Sequence, residues 1–426
     1  MRRQQSPRDL IDDGHSAPAG GAALTSHMEE DKNRQALFTW GSNSYGQLGL
    51  GSTDDARAPR QVPGLGETCG ILKSLTAGGG HSAAVTDCGK LYVCGQNKSG
   101  QLGLGHCQDL ARLTLCTAIL DLCVAKVSCG WDFSLILTDG GHLLSFGSNA
   151  YGQLGNTQQK TSSVPKLIQN VPERIVDVAA GLRHSLAVTE SGQTLQWGSG
   201  LASQAKRFCQ GGSILGFYTA REPCPVPGLE TVKVKRVAAG SYHSVALSVA
   251  GELHGWGSNK HGQLLHSEPF LLQPRKMDGA AFSEEKLKAV WSGWSHLVAQ
   301  SETGKVFTWG RSDYGQLGTS VGSPCAKSQE AKGKFKPPLC VPVLTGASQV
   351  ACGSEHNLAL CGNAVYSWGW NEHGMCGNSD EDAVPAPAAV SLQAPGRVEL
   401  IGCGAGHSMV LCTGHSSSGC IFYGHR

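Results

Sequence analysis

Seven copies of one short pattern run through this chain, and that repetition narrows the possible folds more than any bulk property. An aromatic residue, then glycine, then a tail closing on Gly-Gln-Leu-Gly stands intact at Trp40–Gly49. It returns with variations at Cys94-Gly95, Phe146-Gly147, Trp197-Gly198, Trp256-Gly257, Trp309-Gly310 and Trp368-Gly369. A second pattern, Gly-x-x-His-Ser, begins at Gly78, Gly181, Gly240 and Gly404, with variants beginning at Gly130 (Phe133 for His), Gly293 and Gly353. Successive copies lie 51–60 residues apart. Units of that length, repeated, are parts of one architecture rather than separate domains.

Each unit reads as β structure. The apolar run Ile175–Ala179 leads into Gly-x-x-His-Ser, Leu186–Val188 follows, and Glu190-Ser191-Gly192 makes a turn before the strand ending at Trp197-Gly198. Aspartate, serine and glycine suit tight hairpins, because glycine takes positive φ without a Cβ clash. A single sheet of three or four strands cannot bury both of its faces; seven packed radially can, and they shield each other's edges. The expectation is an all-β, seven-bladed propeller over residues 36–413. The first aromatic-Gly copy has no Gly-x-x-His before it, and the last Gly-x-x-His has no full tail after it. One blade is therefore expected to be completed across the termini, with Ala36–Trp40 beside His407–Cys412. Ile421–Gly424 mimics the missing strand and competes for that slot. Residues 1–35, polar and rich in Gly, Ala and Ser, read as a disordered tail, and 414–426 as a C-terminal tail or closing strand.

Composition enters as a set of exclusions. With 58 glycines and 16 % charged residues the chain is turn-rich, and its net charge of +2 gives no broad basic stripe for nucleic acid. No run approaches the roughly 20 apolar residues of a membrane span, and no apolar signal core follows Arg2-Arg3, so export and membrane insertion are not expected. The 17 cysteines never fall in Cys-x-x-Cys, which argues against zinc ribbons and for free thiols in a reducing cytoplasm or nucleus. The Gly-Lys pairs at Gly89, Gly304 and Gly333 are followed by Leu, Val and Phe, so no phosphate-binding loop is present. No cofactor or metal is implied. The histidines at 81, 184, 243, 296, 356 and 407 recur once per unit; ring spacing keeps them too far apart for one ion, and each is expected to bond backbone within its own blade.

The two patterns together resemble the family named for the regulator of chromosome condensation, across about residues 36–413. Stretches such as Cys129–Phe133, Trp197–Ser203, Trp291–Gln300 and Ser367–Met375 are similar to a branch of that family linked to regulated secretion. The resemblance implies the seven-bladed fold and a guanine nucleotide exchange factor, or at least a binder, for a small GTPase. It also implies an alternative: a non-catalytic interaction scaffold on vesicle-tethering (exocyst-type) machinery, acting as a monomer. In the family's founder an acidic residue just before a repeat histidine is needed for exchange; Asp132 and Glu355 occupy that place here, although Phe133 replaces the histidine beside Asp132.

The two positions before each repeat histidine vary and are expected to cluster near the axis of one propeller face. Trp131, Asp132, Arg183, Tyr242, Trp294 and Glu355 among them carry the aromatic and arginine character of protein-binding hot spots. Two units carry insertions. Ser199–Pro227 replaces the usual tail and holds Lys206, Arg207, Phe208, Phe217 and Tyr218, expected as a protruding wedge. Thr319–Leu339, rich in lysine and proline, reads as a solvated excursion.

Overall fold

A computed structural model of the chain describes residues 35–65, 70–157, 160–209, 212–319, 336–393 and 396–414. The N-terminal tail, Ile421–Gly424 and most of the Thr319–Leu339 insertion lie outside them. Seven four-stranded antiparallel sheets form the propeller. Within a blade the strands are lettered a to d from the axis outward. Blade 1, for example, holds Leu72–Ala77, His81–Thr86, Leu91–Gly95 and Leu110–Leu115. Blades 2 to 6 follow in order, with their a strands beginning at Val124, Ile175, Val234, Leu287 and Gln349.

Blade 7 is composite. Its a and b strands, Arg397–Cys403 and His407–Thr413, come from the end of the chain, and its c and d strands, Gln35–Gly41 and Ala56–Gln61, from the beginning. The closing pair runs in unbroken register from Gln35↔Thr413 through Ala36↔Cys412 and Trp40↔Ser408 to Gly41↔His407. The expected closure is therefore the one observed, and it leaves no open ring end to fray.

Apolar clusters fill the space between neighbouring blades rather than within one sheet. Phe133, Leu135 and Leu154 of blade 2 pack on Val178, Ala187 and Trp197 of blade 3. The leucine of each Gly-Gln-Leu-Gly tail is the plug, as at Leu48, Leu102, Leu154 and Leu264, all at most 1 % exposed. Each such side chain contributes about 1.5–3 kcal/mol when fully buried. The repeat tryptophans tie the plug down. Trp197, Trp309 and Trp368 donate their indole N–H to the main-chain carbonyls of Gln153, Gln263 and Gln316, the tail glutamines of the preceding blade, at 2.9–3.0 Å. Blade 3 has lost that tail, and Trp256 donates to the side-chain Oε1 of Gln196 instead, at 2.7 Å.

The first insertion follows from the same loss. A slot that leucine fills elsewhere is filled here by a short helix, Ala202–Phe208, and a 3-10 turn, Gly216–Tyr218. Leu201, Ala205, Phe217 and Tyr218 are at most 1 % exposed within one cluster, and the Tyr218 hydroxyl donates to the carbonyls of Leu271 and Leu272 in blade 4. Phe208 stacks on Phe270 at 5.4 Å and 7°. The sequence placed these aromatics on a protruding wedge. That expectation is corrected for Phe217 and Tyr218, which are core, and for Phe208, which is packed; Lys206 and Arg207 alone stay exposed.

Candidate partner-docking face

Strand alternation decides which loops share a face. In an antiparallel blade the a–b and c–d connections lie at one end and the b–c turns at the other. The Gly-x-x-His-Ser segments are a–b loops and the aromatic-Gly tails are c–d loops, so they gather on one face together with the described helix and turn of the first insertion, which takes the place of the blade 3 tail.

Just beneath that face runs a belt of histidines. His81, His184, His356 and His407 place Nε2 at 2.7–3.0 Å from the Oγ of Ser134, Ser244, Ser408 and Ser82 in the next blade. His243 reaches Ser292 at 3.0 Å, and His296 reaches Oδ1 of Asn357 at 2.7 Å. Serine hydroxyls of the belt spend their proton on a carbonyl, as Ser82 does on Gln47 and Ser134 on Gln101. Each such hydroxyl can therefore only accept from its histidine, which fixes the neutral Nε2–H tautomer. The structural role was legible; the partner was not. These bonds join successive blades instead of bonding backbone within one, which corrects the expectation. Phe133 interrupts the belt, so no histidine meets Ser185, whose Oγ donates to Gln153 O.

Above the belt the two variable positions separate. The first of the pair lines a small axial pocket in six blades, as Gly79, Trp131, Leu182, Trp294, Ser354 and Ala405, and blade 4 contributes Ala239 and Gly240. Trp131, 40 % exposed, crosses the mouth to pack against Trp294, with ring centroids 5.4 Å apart and planes at 53°. The second position meets a c–d tail: Arg183 and Glu355 that of the preceding blade, Asp132 that of its own. Arg183 lies over the Tyr151 ring at 4.5 Å. Asp132 is half-buried; loss of hydration raises its pKa, opposed by hydrogen bonds from Ser148 and Gln153 and by the charge of Arg183. Tyr242 is partly exposed.

Glu355 departs from its expected place. It is 4 % exposed, accepts from Gln316 Nε2 at 2.7 Å, and lies 3.5 Å from Arg311 Nη1 and 3.7 Å from His296 Nδ1. A buried carboxylate so tethered is a brace between blades 5 and 6, not a free docking acid. Glu355→Ala is accordingly expected to lower stability by about 1–3 kcal/mol, because it leaves the buried Gln316 amide without its acceptor, while Arg311 keeps Asp313 at 2.8 Å. Thermal melting checks this; an unchanged Tm would return Glu355 to the docking surface.

The face also holds residues that the sequence reading passed over. Tyr314, 36 % exposed, packs on Trp370 at 6.1 Å and lies under Arg311 at 4.8 Å. Trp370 meets His373 at 6.2 Å. Their signal was available: Tyr45, Tyr151 and Tyr314 hold the same position in the tail, and alternation alone puts that tail beside the Gly-x-x-His-Ser loops. Together with Trp131, Trp294 and Arg183 they make an aromatic and arginine rim around the axis, the composition enriched where proteins meet proteins.

Comparison with known proteins gives one family match, two similar sequences and one similar solved structure. The sequence profile of the RCC1-like domain matches residues 34–410. The secretion-regulating guanine nucleotide exchange factor of Bos taurus is 51 % identical over 390 residues, covering 88 % of this chain and 83 % of that protein. Its Mus musculus counterpart is 50 % identical over 387 residues, covering 88 % and 83 %. Among solved structures, Prp20p of Saccharomyces cerevisiae, described with its binding to Gsp1p and histones, superposes with a TM-score of 0.76 at 22 % identity. That match covers 92 % of this chain and 95 % of that one, and shows likeness of fold.

Proposed function

The chain belongs to the RCC1-like domain family, and from that premise we propose that it is a guanine nucleotide exchange factor for a small GTPase. The observation that carries the reading is identity at half of all positions, across most of both chains, with proteins named as secretion-regulating exchange factors. The aromatic rim supplies the surface such a factor needs.

Exchange makes no covalent bond, so no nucleophile or general base is called for. The factor binds the nucleotide-free GTPase more tightly than the loaded one, and by linkage the nucleotide is then held less tightly by the same factor. A surface of Trp131, Trp294, Arg183, Tyr314 and Trp370 offers large anchors at low conformational cost. Asp132, the acidic residue at the rim that stays accessible, is placed to compete for a basic or metal-binding group of the GTPase. Lys206 and Arg207 stand at the edge of the same face. The traffic step served is regulated secretion, with exocyst-type tethers as further partners and a monomeric factor working in the cytoplasm or nucleus.

Release of labelled GDP from a panel of small GTPases tests the reading. At least one member should respond. Trp131→Ala with Arg183→Ala should then slow release about 30-fold or more, the cost of losing hot-spot contacts of about 2 kcal/mol, while the melting temperature barely moves. Silence across the panel would end the exchange reading, and partners recovered without exchange would favour the interaction scaffold.

A further inference from the structure

Six of the seven blade junctions are laced by a second ring of hydrogen bonds, above the histidine belt. In each, the residue after the repeat glycine gives its main-chain N–H to a carbonyl of the next blade. Leu182 donates to Gly240 at 3.2 Å, Ser241 to Trp294 at 3.1 Å and Trp294 to Ser354 at 2.8 Å. Ser354 donates to Ala405 at 3.1 Å, Ala405 to Gly78 at 2.9 Å, and Gly79 is shared between Gly130 and Trp131 at 3.2 Å. The seventh bond, from Trp131 to Gly181 or Leu182, is missing. Among the described residues the Trp131 N–H bonds nothing, and neither carbonyl accepts.

These unpaired groups are not scattered. Trp131, Gly181 and Leu182 all line the axial pocket, which has a volume of about 90 Å³. The two indoles close over it at an angle. Gly79 permits this, since a Cβ there would stand 2.5 Å from the Trp131 carbonyl and 2.7 Å from its ring. No acidic or basic side chain is among the lining residues.

The chemistry of this lining is selective. Indole faces carry the negative end of a quadrupole and attract a cation. Unpaired carbonyl oxygens want N–H donors, and leaving them dry under an apolar guest is costly. A carboxylate or phosphate would find no positive side chain in the lining. Given that a partner meets this face, as the proposed function holds, we propose that the axial pocket takes the cationic side chain of a lysine or arginine carried on a loop of that partner. The charged group sits in the pocket beneath the paired indoles of Trp131 and Trp294 and donates to the carbonyls of Gly181 and Leu182. The free N–H of Trp131 is left to bond the main chain of the same loop.

Titration of the intact protein with acetyl-Gly-Lys-Gly-amide, followed by the indole N–H resonances in two-dimensional NMR, tests this without any GTPase. The arginine peptide is run beside it, with norleucine and glutamate peptides as controls. A lysine or arginine peptide should shift the Trp131 and Trp294 resonances and bind at least about tenfold more tightly than norleucine, a difference within the range of one cation–π contact and one hydrogen bond. Trp131→Leu should abolish the response at Trp294, and Trp131→Phe should keep part of it. Equal binding of norleucine, preference for glutamate, or no shift at these two indoles would overturn the proposal. A cation response together with silence in the GDP-release panel would leave the pocket standing and remove the exchange activity.

Discussion

Taking the protein from pH 7 to pH 5 is expected to unfold it or bring it close to unfolding, well above the range in which carboxylates titrate. The cause is the histidine belt. Burial pushes His81 and His184 down to about 4, and His243, His356 and His407 down to about 3. Their Nδ1 atoms have no hydrogen-bond partner, and a second ring proton would have nowhere to go. In the unfolded chain the same groups titrate near 6.5. Between about pH 6.5 and 4 the unfolded state thus binds protons that the native state refuses. Stability is whole above 6.5 and falls as pH drops through that window. At pH 5 the cost is about 2 kcal/mol per histidine, and five of them together rival the 5–15 kcal/mol that holds a typical domain. Calorimetry across pH 7.5 to 5 should show a steep fall in Tm, with several protons taken up on unfolding. Uptake of fewer than about two near pH 5.5 would mean that the belt does not set the acid limit.

Most of the architecture could be read from the sequence because the repeat writes each blade out separately. Seven aromatic-Gly and Gly-x-x-His-Ser copies gave seven sheets, and the incomplete copies at each end gave the closure of Ala36–Trp40 on His407–Cys412. What failed to show was anything that depends on the blade next door. For four of the six histidines the partner is the serine at the second position of the His-Ser pair one repeat on, so its signal was present in the motif but read as local. Glu355 stands beside His356 in sequence yet is claimed by Arg311 and Gln316 of the preceding blade. Phe217 and Tyr218 sit in an insertion, and periodicity cannot say whether an insertion points out or in. The missing tail leucine of blade 3 could have: a slot emptied in a packed ring has to be refilled. Of the proposed rim, Trp131, Trp294 and Arg183 were legible from position alone, whereas Tyr314 and Trp370 required strand alternation to bring the c–d tails onto the same face.

The closure that completes the ring also concentrates its vulnerability, and Gly41→Ala is expected to expose it. Gly41 is the last residue of the N-terminal strand and pairs with His407 across the joint. Its φ is +103°, a region that side-chain-bearing residues occupy at a cost of about 1–3 kcal/mol. A Cβ there would also stand 2.5 Å from the carbonyl oxygen of Gly406 and 2.8 Å from the His407 Cα. Neither can retreat: that carbonyl accepts the N–H of Ser42 at 2.8 Å, and His407 is anchored through Ser82 in blade 1. Overpacking against fixed backbone adds about 1–3 kcal/mol, so the total loss is about 2–6 kcal/mol. Gly64→Ala supplies the control, because its φ of +74° is also positive but a Cβ meets nothing within 4 Å; its cost is about 1–2 kcal/mol. Denaturant unfolding should separate the two variants by about 1–3 kcal/mol, the overpacking cost that only Gly41→Ala carries. Limited proteolysis of Gly41→Ala should cut first in the N-terminal strands, since they are held into blade 7 by this joint rather than by a hairpin to the strand they close upon. Matching stabilities for the two variants would show that the joint yields, and that the ring is not held shut at Gly41.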